Sequence, residues 1–226
     1  MSHLASPMQT YYAARAPEYD EVYNKPERQA DLRAIEQWLP PRFVKASVLE
    51  IACGTGYWTQ FIAPIASRLV AIDSAVETLN IARARVPQKT AEFLVGDAYQ
   101  LKPALGQFTA AFAGFWFSHI PKARQREFLR GLGARLEPGA KVVLLDNRFV
   151  EGSSSPISHH DADGNTWQSR ALKDGSAHQV LKNFPTEAEL NSVLTGLGAE
   201  GRLTEWPHYW AFEYVAVASQ ADTANP

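Results

Sequence analysis

Glu50-Ile51-Ala52-Cys53-Gly54-Thr55-Gly56 joins an apolar run, Ser47-Val-Leu-Glu-Ile51, to a segment of helical character, Tyr57 to Ala63. Glycine tolerates a sharp turn and lets backbone N–H groups approach a ligand with no Cβ in the way. A Gly-x-Gly between a strand and a helix is common, and three neighbouring features narrow its meaning. Glu50 is an acid inside an apolar strand, and a buried carboxylate needs a donor. Thr59 occupies the third glycine position of a Gly-x-Gly-x-x-Gly phosphate fingerprint, while Tyr57 and Trp58 crowd the place of a pyrophosphate. Asp73 ends the next apolar run, 17 residues after Gly56, where an acid can accept from both hydroxyls of a ribose. A nucleoside without a pyrophosphate fits this combination.

Working outward, further apolar blocks alternate with amphipathic stretches. Leu69 to Ile72, Glu92 to Val95, Phe108 to Phe115 and Lys141 to Leu145 read as buried strands; Ala75 to Val86 and Lys122 to Leu136 read as helices. Near-continuous apolar strands separated by helices predict a parallel sheet covered on both faces, with ligands outside the carboxyl ends of the strands. Two helical segments, Gln9 to Arg15 and Glu27 to Trp38, precede the first strand, and Pro40-Pro41 stops the second. A polar loop from Glu151 to Gly164 follows the fifth strand. Trp167 to Leu172 and Ala177 to Lys182 flank the turn Asp174-Gly175, a hairpin signal. Thr186, with Glu189 three residues on, marks a capped helix, and Arg202 to Trp206 and Ala211 to Val217 read as two last strands.

The order of these signals resembles the class I S-adenosylmethionine-dependent methyltransferases. Glu50 to Gly56 matches their first motif, Asp73 their second-strand acid, Gly96-Asp97-Ala98 their third-strand motif and Leu136-Glu-Pro-Gly139 the segment before the fifth strand. The resemblance implies an α/β fold: a Rossmann-like, seven-stranded, mostly parallel sheet with an antiparallel edge hairpin, helices on both faces and N-terminal lid helices. It implies one domain over 1–226, with a helical lid at 1–42, a cofactor-binding core at 46–148, a substrate-covering insertion at 151–184 and a C-terminal helix and edge strands at 185–218. S-adenosylmethionine is the implied cofactor. Glu50, Ala52, Gly54, Gly56, Trp58, Asp73, Ser74, Asp97, Ala98, Phe115 and Phe117 are its expected contacts. Tyr11-Tyr-Ala-Ala-Arg-Ala-Pro-Glu-Tyr-Asp20 resembles the lid helix of small natural-product methyltransferases, which adds Tyr12, Arg15 and Tyr19.

Methyl transfer needs a nucleophile held in line and, where that nucleophile is protonated, a group to take its proton. His119, just past the fourth strand, is the expected catalytic base because its ordinary pKa lies near physiological pH. Its other reading is orientation of a loop or contact with the cofactor. Trp116, His119 and Asn147 are expected beside the acceptor. Arg170 to Phe184 resembles segments of bacterial small-metabolite enzymes, the dehydrophos phosphonate O-methyltransferase and, more distantly, the toxoflavin N-methyltransferase among them. Arg170, His178 and Lys182 would there meet an anionic group, or else form a solvated face. The Asp/Asn-Pro-Pro-Tyr/Phe segment of amino-group methyltransferases acting on DNA or glutamine is replaced by Phe115-Trp-Phe-Ser118. No metal is expected: Asp146-Asn147 lacks a fourth-strand acid, and His159-His160-Asp161-Ala-Asp163 reads as solvated loop.

Composition bounds the remaining choices. The chain has 226 residues, 46% hydrophobic and 20% charged, as ordinary globular domains do. Its formal charge of −2 and scattered Lys and Arg argue against a nucleic-acid backbone as the main partner. One cysteine, Cys53, and the absence of a signal-like or membrane-length apolar run point to a cytoplasmic protein. The expected function is methyl transfer from S-adenosylmethionine to an oxygen or nitrogen of a small bacterial metabolite, as in secondary metabolism. The alternatives are a protein or RNA methyltransferase, a non-catalytic cofactor-binding partner and a nicotinamide-dependent oxidoreductase. The acceptor's identity, O- against N-methylation and oligomeric state lie outside the sequence.

Overall fold

The computed structural model describes residues 15–86 and 91–218. Its main sheet has seven strands in the order β3-β2-β1-β4-β5-β10-β9. These are β1 (Ser47–Ile51), β2 (Arg68–Asp73), β3 (Ala91–Val95), β4 (Phe108–Gly114), β5 (Leu136–Asn147), β9 (Gly198–Glu205) and β10 (Tyr209–Ala216). The first five are parallel, and β10 runs antiparallel to both β5 and β9. The expected seven-stranded, mostly parallel sheet with an antiparallel edge hairpin is therefore present.

The central strands are apolar on both faces because both faces are covered. Leu49 and Ile51 of β1 point into a core with Phe117, Phe128 and Phe212. Val48, on the opposite face, packs with Leu32, Ile35, Trp58 and Leu79. The helices α1 (Gln29–Trp38), α2 (Thr59–Ile62), α3 (Val76–Arg85), α4 (Gln125–Gly133) and α5 (Glu187–Leu194) supply these faces. The capping box predicted at α5 is formed: Thr186 Oγ1 accepts from Glu189 N, and Glu189 Oε2 accepts from Thr186 N. No residue of edge strand β3 is fully buried; Ala91, Phe93 and Leu94 are half-buried and Glu92 and Val95 exposed.

Two segments depart from the reading of the sequence. The helix expected from Glu27 begins as a 3₁₀ turn, Pro26–Arg28, before α1. The polar stretch after β5 contains a strand, β6 (Ile157–His160), which pairs antiparallel with β7 (Thr166–Ala171), itself paired with β8 (Ala177–Leu181). β6 escapes periodicity because only Ile157 is apolar and the other three residues are exposed. This second sheet, β6-β7-β8, stands apart from the seven-stranded one.

The order of the main sheet reverses between β1 and β4, and the crevice opens at their carboxyl ends. There the backbone adopts left-handed conformations on both strands: Ala52 (φ 52°), Gly54 (φ 55°) and Gly56 (φ 74°) after β1, and Phe115 (φ 57°) after β4. Left-handed geometry at a non-glycine residue costs roughly 1–2 kcal/mol, so Ala52 and Phe115 store strain beside the crevice. Gly56 has a steric reason as well: a Cβ there would lie 3.0 Å from Ala82 Cβ on α3. Gly56→Ala is expected to lower unfolding free energy by at least about 1 kcal/mol through φ alone, with α3 displaced in addition. Urea unfolding of the variant against the wild type checks this.

Candidate active site

The loop after β1 is tied to the end of β2 by one carboxylate. Asp73 Oδ2 accepts from Gly54 N at 2.9 Å, and Oδ1 accepts from Ala75 N at 2.9 Å and from Thr78 Oγ1 at 3.2 Å. Burial raises its pKa, while the N–H groups of Ala75 and Gly54 oppose that shift. Around it lies a cavity of about 360 Å³ lined by Ala52, Gly54, Asp73, Ser74, Asp97, Ala98 and Phe115, all expected cofactor contacts. Tyr19 covers it, with ring atoms 3.3–3.4 Å from where a Gly54 Cβ would stand. Tyr99 and Arg124 complete the wall, the guanidinium stacked 3.8 Å from the ring centroid and held by Glu127.

The other expected cofactor residues are placed differently. Glu50, Gly56, Trp58 and Phe117 do not line this cavity. Trp58 packs among Tyr23, Tyr57, Phe61 and Phe115, and Phe117 lies against Phe128 in the opposite core. Arg15 lines the neighbouring cavity instead, and Tyr12 lies outside the described residues. Glu50 sits beneath the loop, 1% exposed, with Oε2 lacking a hydrogen-bond partner. Burial pushes its pKa up to about 8, with the Asp73 carboxylate adding to the shift.

A second cavity, of about 470 Å³, shares Tyr19, Phe115 and His119 with the first. Its remaining wall comes from the N-terminal segment (Arg15, Glu18, Lys25, Arg28), the loop after β5 (Asn147, Ser153 to Pro156) and the small sheet (Gln168 to Leu172, Lys182). Residues 181–183 at the end of β8 grip the turn that carries His119. Leu181 O accepts from His119 Nδ1 at 2.6 Å, Lys182 Nζ donates to Ser118 Oγ at 2.6 Å, and Asn183 N donates to Ser118 O at 2.8 Å. The carbonyl fixes the proton of a neutral ring on Nδ1 and leaves Nε2 as its basic nitrogen. Burial, with the charges of Lys182 and Arg170, holds the imidazole well below its usual pKa.

Lys182 is itself buried and paired with Asp146, Nζ to Oδ1 at 2.5 Å. Burial lowers its pKa to about 8 against the pull of that carboxylate. Asp146 also accepts from Ser118 N and Asn147 N, so its oxygens are committed to protein donors. Trp116 lines the first cavity rather than the second, against Tyr99 and Phe128. Asn147 and Arg170 line the second. His178 lies outside both, opposite Arg170 in the β7–β8 ladder and bonded to Ser176 Oγ. In the polar loop, Asp161 accepts from the side chains of Trp167 and Asn165 and from the N–H groups of Asp163 and Asn165. Among the described residues no group of three or more His, Cys, Asp or Glu is arranged to hold a metal ion.

The polar groups of the first cavity suit an adenosyl sulfonium compound. Two acids, Asp73 and Asp97, face a single cation, Arg124, which Glu127 already neutralises. A pyrophosphate would be repelled there, whereas ribose hydroxyls, an ammonium and a sulfonium are stabilised.

A doubly wound sheet with a nucleoside crevice at its switch point defines a Rossmann-like transferase fold. Residues 48–139 match the family model described as a methyltransferase domain. The structure of DhpI with SAH is similar at 28% identity and a TM-score of 0.77, covering 93% of this chain and 95% of that one. DhpI with SAM and HEP gives 29% identity and 0.77, covering 95% and 99%. The demethylmenaquinone methyltransferase of Lactococcus lactis is 29% identical over 107 residues, 44% of this chain and 41% of that protein. The chain thus matches less than half the length of this curated relative. It is similar to class I S-adenosylmethionine-dependent methyltransferases in sequence and in fold, and no helix among the described residues is long and apolar enough to cross a membrane.

Glu50 makes a measurable contribution to stability. Its carboxyl binds a proton more tightly in the folded chain than in the unfolded one, so its stabilisation is complete below about pH 4.5 and is lost as pH rises towards 8. Wild-type unfolding free energy should carry a slope from this group of at most roughly 1.4 kcal/mol per pH unit between about pH 5 and 7.5, which Glu50→Gln removes. Denaturant unfolding of both proteins across that range measures the difference in slope. Lys182, whose folded pKa is the lowered one, acts only above this window.

Proposed function

We propose that the protein transfers a methyl group from S-adenosylmethionine to an oxygen or nitrogen of a small-molecule metabolite seated in the second cavity. The observation that carries this reading is the shared wall: Tyr19, Phe115 and His119 line both cavities, so a donor in one and an acceptor in the other meet there. When bound, the cofactor supplies a methyl on a sulfonium, open to in-line displacement. Asp73 would accept from its ribose, Asp97 and Ala98 would flank its adenine, and Tyr19 with Gly54 would bound its methionine end. The residues placed at 151–184 and the segment before β1 would cover the acceptor and exclude water.

The size of the second cavity, about 470 Å³, favours a small molecule over a protein or RNA segment. Arg170 and Lys182 on its wall suit an anionic acceptor. His119 is neutral at physiological pH, and its Nε2 is the natural acceptor for a proton leaving a hydroxyl or ammonium nucleophile. Its lowered basicity makes it a modest base, so catalysis would rest mainly on alignment of the two reactants. The single cysteine, Cys53, fits a reducing, cytoplasmic location.

Parallel thermal-shift measurements with S-adenosylhomocysteine, S-adenosylmethionine and NAD test the cofactor. A ligand at 100 times its Kd stabilises by about 2.7 kcal/mol, so the two adenosyl compounds should raise Tm and NAD should not. Asp73→Ala should abolish the rise in a still-folded protein, and a rise with NAD alone would overturn the reading. Separately, His119→Ala should lower kcat by roughly 10²-fold or more if Nε2 takes the proton, with the cofactor's Kd little changed. Full turnover of that variant at neutral pH would leave the ring an orienting role only.

A further inference from the structure

Three cations on the second cavity, Lys25, Arg28 and Arg170, form no ion pair among the described residues. Arg28 is the most deeply placed of them, 3% exposed. Its hydrogen-bond partners Ser153 and Asn147 are neutral: Nε donates to Ser153 Oγ at 2.9 Å, and Nη1 donates to Asn147 Oδ1 at 2.8 Å. A face of the guanidinium lies 5.6 Å from the Tyr209 ring centroid. Ser153 Oγ in turn donates to Glu27 Oε1 at 2.7 Å, which fixes the hydroxyl that holds Arg28. Lys25 Nζ donates to Ser153 O beside it.

A buried, uncompensated guanidinium is costly, and proteins keep one where an anion arrives. Two of its five N–H groups are committed to Ser153 and Asn147, and the Tyr209 hydroxyl also interacts with the guanidinium; these contacts fix its orientation, and no carboxylate pairs with it among the described residues. The surrounding charge points the same way: Arg28 and Arg170 both push the pKa of Lys25 down, and both push that of Lys182 down. The two acids on the wall are Glu18 and Glu21, and Glu21 is engaged by Lys173. Arg28 and Lys25 come from the chain before α1, whereas the shared mouth of the two cavities is formed by Tyr19, Phe115 and His119.

We propose that Arg28, oriented by Ser153 and Asn147 and assisted by Lys25, is an oxyanion subsite that binds a carboxylate or phosphoryl group of the acceptor other than the atom that is methylated. The subsite works as a handle: it fixes one end of the molecule so that the other end meets the methyl at the shared mouth. This rests on the reading of the second cavity as the acceptor site. It selects acceptors that carry an acidic group remote from their nucleophile.

Binding of inorganic phosphate and of malonate, measured by calorimetry on the full chain with S-adenosylhomocysteine present, tests it. Wild type should bind at least one of them, and the tighter names the group. Arg28→Met should weaken that binding at least tenfold while leaving the Kd for S-adenosylhomocysteine unchanged, and Arg28→Lys should restore part of it. Arg202→Met, which removes an exposed cation elsewhere, should change neither. A lower Tm for Arg28→Met with anion affinity intact would reduce Arg28 to a structural tie and overturn the proposal. If that variant does not fold, Lys25→Met decides: a several-fold loss supports the subsite and an unchanged affinity overturns it. No anion binding by wild type that still binds S-adenosylhomocysteine also overturns it, and leaves the methyltransferase reading standing. Failure to bind S-adenosylhomocysteine removes that reading instead.

Discussion

Asp73 ties the loop after β1 to the end of β2 and the start of α3. Between Ala52 and Gly56 three residues take left-handed backbone geometry, which bends the chain leaving β1 across the end of β2. The carboxylate at the end of β2 receives the N–H of Gly54 and, through its other oxygen, the N–H of Ala75 and the hydroxyl of Thr78 at the start of α3. One side chain therefore sets the loop, the strand and the following helix relative to one another. The same oxygens face the crevice where a ribose would lie, so the element that fixes the fold locally is also the expected cofactor acceptor. Thr55, inside that loop, is bonded to both Asp20 of the N-terminal segment and Arg85 at the end of α3. Cover and crevice are thus fastened to one short stretch of chain.

The second cavity, the proposed acceptor side, is assembled differently. It has no single loop, and its parts come from before β1, after β5 and the three-stranded sheet. What joins them is a chain of polar contacts along the cavity wall: Arg28 to Asn147, Asn147 to Asp146, Asp146 to Lys182, and Lys182 to Ser118. Each link is between residues far apart in sequence except the adjacent pair at 146 and 147. Such a network is costly if incomplete, and an ion pair at its centre adds specificity of geometry more than stability. The consequence is a rigid floor against which His119 is held by the carbonyl of Leu181.

This contrast explains what could be read from the sequence. The strands and helices of the core, the loop at Glu50 to Gly56, and the acids Asp73 and Asp97 all announce themselves within a few residues, through periodicity, glycine and position at a strand end. The capping box of Thr186 and Glu189 and the Asp174-Gly175 turn are local in the same way. β6 was hidden because its pairing with β7, not its own apolar pattern, makes it a strand. Arg28, Lys25, Ser153 and the commitment of Asp146 to Lys182 were invisible because they depend on contacts across more than thirty residues of separation. Aromatic residues misled most readily: Trp58 and Phe117 sit next to motif positions, yet their bulk goes into the cores on either side of the sheet. Tyr99 and Arg124 gave a faint signal in retrospect, an aromatic residue two positions after Asp97 and a cation at the entry to a helix.

The two cavities impose unlike electrostatics on molecules that must touch. In the proposed assignment the first presents acids to a positively charged donor, and the second presents Lys25, Arg28 and Arg170 to its guest. Their common boundary is Tyr19, Phe115 and a neutral His119, with no fixed charge of its own. A sulfonium loses its positive charge as its methyl leaves, and an anionic or deprotonating acceptor loses negative charge as it is methylated, so both reactants become more nearly neutral at the boundary. A wall without formal charge does not oppose that change, whereas an ionised residue there would hold one reactant in its charged state. The lowered pKa of His119 serves this arrangement: burial, with the cations around it, keeps the ring neutral, and its Nδ1 bond to Leu181 keeps the basic nitrogen in a fixed position.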